Sequence, residues 1–199
     1  MRLHTRKPRP PRVTPARRQR FEWPVRPERL RALQGLVLDC DGVLTTGELL
    51  YDDAGRRLLS FDVRDGAGLA MLAHADFPMA VLSGRPADVA ERRHRELGVR
   101  HFVSDCRDKA QGLVDVCKLL GINPEHCAFV GDDLPDLAAF RMAGLKIAVA
   151  NAVPEIIEHA DWVTERQGGA GAVREVCELI LKARGSWAQI VERYLEGEP

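Results

Sequence analysis

The sequence predicts an α/β fold, a doubly wound, Rossmann-like parallel sheet that begins near residue 34. Two observations predict it. Short apolar runs such as GLVLDC (35–40) and CAFVG (127–131) have the unbroken hydrophobicity of strands that are buried on both faces. These runs alternate with helical segments, as the crossovers of a parallel sheet require. Ligands of such folds bind at the carboxyl ends of the strands, so polar residues at those ends are the candidates for a functional site.

The predicted elements then follow one another along the chain. The segment LLYDDAGRRLLSF (49–61) holds two extended pieces around a polar turn, which indicates a β-hairpin inserted after the first strand. Pro86 marks the start of a helix that ends before Gly98, and Gly121 ends the next amphipathic helix. Further strands are expected at 78–83, 101–104, 127–131, 145–150 and 161–164, and further helices at 65–76, 134–144, 154–160, 172–183 and 187–195.

The start of the last helix has a sequence signature of its own. Ser186 and Gln189 have the spacing of a capping box, in which each side chain bonds to the backbone N–H group of the other residue. We therefore expect Ser186 to cap the helix that follows it.

Composition excludes several classes of protein. The chain of 199 residues is 45% hydrophobic and 29% charged, which is ordinary for a soluble globular domain. It has no apolar run near the roughly 20 residues that span a bilayer and no apolar N-terminal signal segment. The five cysteines are scattered, odd in number and without a CxxC pair, which favours reduced thiols in a cytoplasmic protein and argues against zinc.

The formal net charge of zero hides an asymmetry. Residues 1–31 hold eleven Lys and Arg against two Glu, whereas residues 32–199 hold eighteen against twenty-seven Asp and Glu. The first part is also rich in proline and poor in apolar residues, so we expect a disordered or extended basic arm. The second part is expected to be the folded domain. Nucleic-acid binding by the arm is the less favoured reading of its charge.

Four segments place polar residues at successive strand ends or helix starts of the predicted sheet. Ser83 follows Asp39 by 44 residues, Lys109 follows Ser83 by 26 and Asp132 follows Lys109 by 23, and the last two intervals fit ordinary crossovers. The candidate residues are, in chain order, Asp39, Asp41, Ser83, Gly84, Arg85, Lys109, Asp132, Asp133 and Asp136.

Three of these carboxylates predict a metal site. Asp39 and Asp41 are two residues apart, so on a strand their side chains would share one face while Cys40 points into the core. Asp132 would add a third carboxylate. Like charges this close force one group to take up a proton unless a cation lies between them. Hard oxygen ligands with room for water favour Mg²⁺.

The other strand-end residues favour a phosphate ester as the ligand. The Ser83 hydroxyl could bond one phosphoryl oxygen, and the compact charge of Lys109 could neutralise another. One carboxylate could attack phosphorus, and a second could protonate the leaving oxygen and later activate water. Simpler explanations exist for each segment alone, since Asp-x-Asp occurs in many loops and Gly-Asp-Asp could merely cap a helix at Leu134.

The set as a whole resembles the haloacid dehalogenase-like superfamily. LDCDGVL matches its first motif, LSGR its second, Lys109 its third and GDDLPDL its fourth. Within it, the stretches DCDGVLTTGEL, FDVRDGAGL, VGDDLPDL and GGAGAVREVCELIL are similar to the 3-deoxy-D-manno-octulosonate 8-phosphate (KDO 8-phosphate) phosphatase family. The likeness covers about residues 35–184 and leaves out the basic arm.

The resemblance implies a role for each acidic residue. Asp39 would be the nucleophile and a Mg²⁺ ligand, and Asp132 would be a further ligand. Asp41 would be the general acid and base, would face the substrate, and would offer its main-chain carbonyl to the metal. Asp133 and Asp136 would support the metal and Lys109.

It also implies the residues that hold the substrate. Ser83, Gly84 and Lys109 would bind the phosphate, and Arg85 would reach the sugar. The implied reaction is Mg²⁺-dependent hydrolysis of KDO 8-phosphate to KDO and phosphate through an aspartyl-phosphate.

The insertion after the first strand is only a hairpin, so the fold is expected to lack a cap domain. The resemblance implies a homotetramer in which neighbouring hairpins and C-terminal segments cover each site. Two residues depart from the family pattern, because Leu59 and Ala170 stand where a cation is usual. Arg56, Arg57 or Arg64 could compensate.

Three alternatives remain open at this point. One is a phosphatase for a nonulosonate 9-phosphate of the acylneuraminate type or for another sugar phosphate. Another is a non-catalytic oligomerisation module, which would have no need of a clustered charge site. The third is nucleic-acid binding through the basic arm, which would be sensitive to salt.

Overall fold

The predicted parallel sheet is present in the computed structural model, which describes residues 22–86 and 88–197. Six strands form it in the order β5-β4-β1-β6-β7-β8, and every neighbouring pair is parallel. The other two strands form the predicted antiparallel hairpin, β2-β3. The strands are β1 Gly35–Leu38, β2 Leu50–Tyr51, β3 Arg57–Leu58, β4 Met79–Leu82, β5 His101–Val103, β6 Cys127–Gly131, β7 Leu145–Ala148 and β8 Trp162–Val163.

The three central strands carry the core. Every residue of β1, β4 and β6 is buried, as expected for strands that are covered on both faces. Because β1 lies between β4 and β6, the carboxyl ends of these three strands are neighbours. This strand order brings together segments that lie far apart in the sequence.

Seven of the eight helices in the described part of the chain fall into two groups that are linked by helix–helix contacts. One group contains α1, α2, α7 and α8, and the other contains α4, α5 and α6. None of the helices in the described part of the chain is long and apolar enough to cross a bilayer. The helices are α1 Pro27–Ala32, α2 Val63–His74, α3 Asp88–Glu96, α4 Lys109–Leu120, α5 Leu137–Phe140, α6 Pro154–His159, α7 Ala172–Ala183 and α8 Trp187–Glu196.

Part of the predicted basic arm belongs to the folded domain. Helix α1 begins at Pro27, inside the predicted arm, and packs on α7; Leu30 is fully buried and Val25 is buried. Arg29 forms an ion pair with Asp161 at 3.1 Å. Composition underestimated this segment because a few apolar side chains are enough to dock one short helix. Residues 1–21 of the predicted arm lie outside the described part of the chain.

The helix predicted at 134–144 is much shorter in the structure. A 3₁₀ turn at Leu134–Asp136 precedes α5, and the chain leaves the helix after Phe140. The reason is a close approach at Gly144, whose N–H donates to the carbonyl oxygens of Pro124 and Cys127. A Cβ atom there would lie 1.8 Å from the carbonyl oxygen of Glu125, so the chain has to turn inward at a glycine.

The predicted capping box at Ser186 is wrong. Ser186 already has helical dihedral angles (φ −81°, ψ −18°), and its side chain makes no capping hydrogen bond. Its N–H donates instead to the carbonyl of Leu181, because the chain turns tightly from α7 into α8 at Gly185 (φ +80°). The helix that follows nevertheless begins at Trp187, as expected.

A buried carboxylate joins α2 to α7. The two oxygens of Asp65 accept hydrogen bonds from the N–H groups of Gly171 and Arg174, at 3.2 and 2.8 Å, at the start of α7. Burial raises the pKa of Asp65, and these two donors oppose that rise. The carboxylate therefore acts as an N-terminal cap supplied by another helix.

We expect Asp65→Ala to lower the free energy of unfolding by about 2 kcal/mol, because it leaves two buried N–H groups without an acceptor. Urea unfolding at one fixed protein concentration measures this change. Asp115→Ala is the control, since Asp115 is an exposed residue of α4 paired with Lys118, and its loss should stay below about 0.5 kcal/mol. Equal losses in the two variants would contradict the role of Asp65.

Candidate active site

The predicted site residues meet at the carboxyl edge of the three central strands. Asp39 directly follows β1, Ser83 follows β4 and Asp132 follows β6. Lys109 is the first residue of α4. Their positions follow from the strand order, because consecutive strand ends of a parallel sheet lie side by side.

Three carboxylates lie together at this edge. Oxygen atoms of Asp39, Asp132 and Asp136 all lie within 4.8 Å of one another. Burial and then repulsion from Asp136 raise the pKa of Asp39. Burial and repulsion from Asp39 raise the pKa of Asp132. The site therefore carries more negative charge than its protein surroundings neutralise.

A buried lysine offsets part of this charge. The Nζ atom of Lys109 bonds Asp39 Oδ1 at 2.8 Å and also bonds Asp136 Oδ1. Burial disfavours the charged form of Lys109, but attraction to Asp39 and Asp136 outweighs burial and raises its pKa. Lys109 is therefore a permanent cation in the site.

Both oxygens of Asp136 already accept hydrogen bonds from the protein itself. One oxygen accepts from Lys109, and the other accepts from the N–H groups of Asp132 at 2.9 Å and Asp133 at 3.4 Å. Asp39 and Asp132 are then the members of the cluster with oxygens to spare. Two such carboxylates, one buried and one half-buried, fit a hard divalent cation such as Mg²⁺.

Glycine is required where the turn after β1 meets Asp132. Gly42 has φ +90°, and a Cβ atom there would lie 2.0 Å from Asp132 Oδ2. On the other side, a Cβ at Gly168 would lie 1.7 Å from the carbonyl oxygen of Gly42. The N–H of Gly168 donates to Asn151 Oδ1 at 2.9 Å, which fixes this second loop. The carboxylate of Asp132 is thus held by backbone that approaches from two segments.

The expected gathering of the Asp39 and Asp41 carboxylates does not occur. The carboxylate of Asp41 is not a member of the acidic cluster and instead forms ion pairs with Arg57 and with Arg85, the latter at 3.8 Å. The prediction assumed that the strand continues to Asp41, but β1 ends at Leu38 and the chain turns. Strand alternation therefore does not apply beyond that point. The main-chain role that the resemblance implies for Asp41 is a separate matter and stays a proposal.

The loop after β4 lies beside Lys109 and Asp41. The buried Ser83 hydroxyl donates to the carbonyl of Arg85 at 3.0 Å and accepts from its N–H at 3.2 Å. A Cβ atom on Gly84 would lie 3.9 Å from Lys109 Cε. Arg85 is largely exposed and reaches Asp41. The three predicted residues of this loop therefore border the same pocket as the acidic cluster.

Asp133 has the role of a helix cap. It is exposed, and its side chain accepts from the N–H of Leu134 at 2.7 Å. Together with Asp136 it closes the first turn in a reciprocal cap. Asp133 therefore caps a helical turn, which is the simpler explanation of the Gly-Asp-Asp segment, whereas Asp132 belongs to the acidic cluster.

Arg57 is a further residue of the site. The sequence identified it only as one of three arginines that could replace a missing cation. Its guanidinium forms an ion pair with Asp41. In the structure residues 57–60 alternate between half-buried and exposed, which turns Arg57 toward the body of the protein, but the sequence Arg-Leu-Leu-Ser has no matching alternation and offered no usable signal. The absence of a regular motif around it explains why it was not singled out.

The chain is similar to a family of known hydrolases. Residues 97–176 match the model of a family described as haloacid dehalogenase-like hydrolase. The chain is 43% identical over 150 residues to the KDO 8-phosphate phosphatase of Escherichia coli K12, which is 75% of this chain and 80% of that protein. It is 40% identical over 158 residues to the Haemophilus influenzae phosphatase of the same name, which is 79% and 88% of the two chains.

Comparison with solved structures also finds KDO 8-phosphate phosphatases. The crystal structure of KDO 8-phosphate phosphatase from Moraxella catarrhalis, in complex with magnesium, phosphate and KDO, matches with a TM-score of 0.81 and 39% identity. The match covers 84% of this chain and 97% of that one. The cobalt-bound Haemophilus influenzae enzyme matches with a TM-score of 0.77 and 40% identity, over 80% and 94% of the two chains.

We expect Asp132→Asn to stabilise the metal-free protein, because it removes one of three mutually repelling carboxylates. At a pH well above 8, where Asp132 with its raised pKa of about 8 is ionised, the melting temperature in excess chelator should rise by about 2–4 °C, and the further gain on adding Mg²⁺ should shrink. Thermal unfolding with and without Mg²⁺ measures both effects.

Asp115→Asn is the control, because Asp115 is an exposed aspartate of α4 that pairs with Lys118 and is not a member of the acidic cluster. It should change neither value. A metal-free Asp132→Asn protein that melts lower than wild type would contradict the repulsion.

Proposed function

The chain belongs to the KDO 8-phosphate phosphatase family of the haloacid dehalogenase-like hydrolases, and we propose that it hydrolyses KDO 8-phosphate to KDO and inorganic phosphate. It is a Mg²⁺-dependent phosphoric monoester hydrolase. The observation that carries the proposal is the acidic cluster around a buried lysine, at the strand edge where this fold binds ligands. A pure oligomerisation module would have no need of such a costly arrangement of charge.

Asp39 and Asp132, with the main-chain carbonyl of Asp41, are the residues we propose as protein ligands of Mg²⁺. The ion supplies neutralising charge to the cluster and polarises the phosphoryl group. Asp136 is not proposed as a ligand, because Lys109 and two backbone N–H groups already occupy it.

Asp39 is the proposed nucleophile. Its carboxylate attacks phosphorus and displaces the sugar oxygen, to which Asp41 gives a proton. Asp41 then takes a proton from water, and the water oxygen attacks the phosphorus of the aspartyl-phosphate. Inorganic phosphate leaves and Asp39 is restored. The bond between Lys109 and Asp39 Oδ1 favours the ionised nucleophile and restricts its rotation.

The phosphate is proposed to bind between Lys109 and the loop after β4. Lys109 remains charged, and the Ser83 hydroxyl and the backbone at Gly84 border the same space. Arg85, exposed at the rim, is proposed to reach the sugar. These donors would stabilise the charge that develops on the phosphoryl oxygens.

A homotetramer is the proposed assembly. The hairpin exposes several large apolar side chains, and α8 buries no residue against its own chain. Leu195 of α8 is 83% exposed. Exposed apolar side chains on these two segments support burial by neighbouring copies. The exposed residues are Leu49, Leu50, Tyr51, Leu58, Val191, Tyr194 and Leu195.

We also propose two parts for the chain and a cytoplasmic location. The phosphatase domain begins at about Glu22 instead of residue 32, because α1 is packed into it, and the preceding residues are proposed as a basic arm. All five cysteines are free thiols, four of them buried, which supports a reducing compartment. Burial and the neighbouring carboxylates raise the pKa of Cys40 to about 12, so this thiol next to the site stays protonated.

We expect Asp39→Asn to lower turnover of KDO 8-phosphate by about 10⁴-fold or more, since it removes the nucleophile. Phosphate release in the presence and absence of Mg²⁺ measures it, with Asp133→Asn as the control. Normal turnover by Asp39→Asn would remove the mechanism.

The substrate needs a panel that contains KDO 8-phosphate, an acylneuraminate 9-phosphate and p-nitrophenyl phosphate. Leu59 and Ala170 stand where the family usually has a cation, so the choice among these sugars has to come from the measured rates. A rate on KDO 8-phosphate no better than that on p-nitrophenyl phosphate would remove the substrate assignment and leave the phosphatase class standing.

We expect Leu195→Asp to convert the tetramer into smaller species, because it places a charge in the proposed interface. Light scattering during size-exclusion chromatography measures the mass. Leu119→Asp is the control, because Leu119 is an exposed leucine of α4 outside both segments, and it should leave the mass unchanged. A wild-type monomer at working concentration would contradict the assembly.

A further inference from the structure

Arg57 is the arginine of the hairpin that turns into the active site. It lies on β3, its side chain is 21% exposed, and its Nη2 atom forms an ion pair with Asp41 of the same chain. Its neighbour Arg56 points the other way, is 79% exposed and pairs with Asp52 in the hairpin turn. The hairpin thus places one cation in the pocket and one in solvent.

The guanidinium of Arg57 has donor capacity left over. Its Nε atom is buried and has no hydrogen-bond partner, and it is the one such side-chain nitrogen or oxygen within residues 22–86 and 88–197. Leaving a buried charged donor unpaired is unfavourable, and native structures rarely keep one without a function. An anionic oxygen of a bound substrate is an acceptor that would satisfy this donor.

The charges around Asp41 favour an anionic acceptor. Arg57 and Arg85 face this single carboxylate, which leaves one positive charge in excess. The acidic cluster, by contrast, has one lysine for three carboxylates. The pocket is therefore divided into an acidic part that suits a metal ion and a cationic part that suits an anion.

The cationic part lies on the leaving-group side of the pocket. Asp41 is the residue proposed to give a proton to the oxygen that joins phosphorus to the sugar. Arg57 bonds Asp41, whereas Lys109 bonds Asp39, so Arg57 would lie beside the sugar that leaves during the reaction.

The other candidate cation of this region is already engaged. Arg64 is 58% exposed, bonds the carboxylate of Asp62 at 2.6 Å and bonds the carbonyl of Ala170 at 3.0 Å. Its guanidinium is thus tied to protein acceptors at the surface, whereas Arg57 keeps a buried donor unused.

We propose that Arg57 is a specificity-determining residue that binds the carboxylate of a sugar-acid phosphate. The inference rests on the proposed function, because it assigns the group that reads the acid part of the substrate. A planar guanidinium fits a carboxylate through two parallel hydrogen bonds, and here Nε would supply one of them. A sugar phosphate without a carboxylate would leave Nε unpaired, and the enzyme would therefore bind it less well.

The test compares Arg57→Gln, Arg57→Lys and the control Arg56→Gln on KDO 8-phosphate and on arabinose 5-phosphate, which has no carboxylate. Arg57 also touches Asp41, so both activities can fall, and the informative quantity is the ratio of the two kcat/KM values. We expect Arg57→Gln to lower that ratio by about tenfold to a hundredfold, mainly through the KM of KDO 8-phosphate. Arg57→Lys should recover part of it, and Arg56→Gln should leave it within about twofold.

A second measurement does not depend on turnover of the acid. Free KDO carries the carboxylate without the phosphate, so it should inhibit hydrolysis of arabinose 5-phosphate competitively. Its inhibition constant should rise about tenfold in Arg57→Gln and less in Arg57→Lys. Circular dichroism and melting temperature establish that each variant is folded.

The two proposals fail in different ways. Wild-type enzyme with no preference for KDO 8-phosphate over arabinose 5-phosphate would refute the proposed function before any variant is tested. Wild-type preference that survives in Arg57→Gln, with unchanged inhibition by KDO, would overturn the assignment of Arg57 alone. Equal losses on both substrates would likewise overturn it and reduce Arg57 to a residue that positions Asp41.

Discussion

Repulsion among three carboxylates around one buried lysine is the constraint on which the site depends. Lys109 neutralises part of the charge of Asp39, Asp132 and Asp136, and burial keeps water from screening the remainder. In the mechanism we propose, a divalent cation would complete the neutralisation. The same cation and lysine would then attract the phosphoryl group, so the feature that costs stability without ligand would be the one that binds the substrate.

The strands and loops around the acidic cluster hold the three carboxylates in place in spite of their repulsion. Strands β4 and β6 flank β1, so the acidic residues follow rigid, fully buried strands and cannot move apart cheaply. Backbone fills the space where side chains would otherwise relax, since Gly42 contacts Asp132 and is itself covered by Gly168. The reciprocal cap between Asp133 and Asp136 holds the other end of the cluster.

A second charged region surrounds Asp41, which forms ion pairs with Arg57 and Arg85. The hairpin brings Arg57 to Asp41 within one chain, so this contact does not depend on assembly. Exposed apolar residues of the same hairpin and of α8 face away from their own chain and suit burial by other copies. In this fold without a cap domain, the short hairpin thus turns a polar side chain inward to Asp41 and turns apolar side chains outward.

The positions of Asp39, Ser83, Lys109 and Asp132 at strand or helix ends were predictable, because hydrophobic runs and helix punctuation are local properties of the sequence. Helices α4 and α7 follow such local signals closely, and α4 begins at Lys109 and closes at Gly121 as expected. The partners of Asp41, the saturation of Asp136 and the docking of α1 were decided by tertiary contacts between segments far apart in the chain. A sequence records which groups are charged, but which charges meet depends on the order of the strands and on where each strand ends. Strand β1 ends at Leu38, so strand alternation does not carry the Asp41 side chain into the acidic cluster.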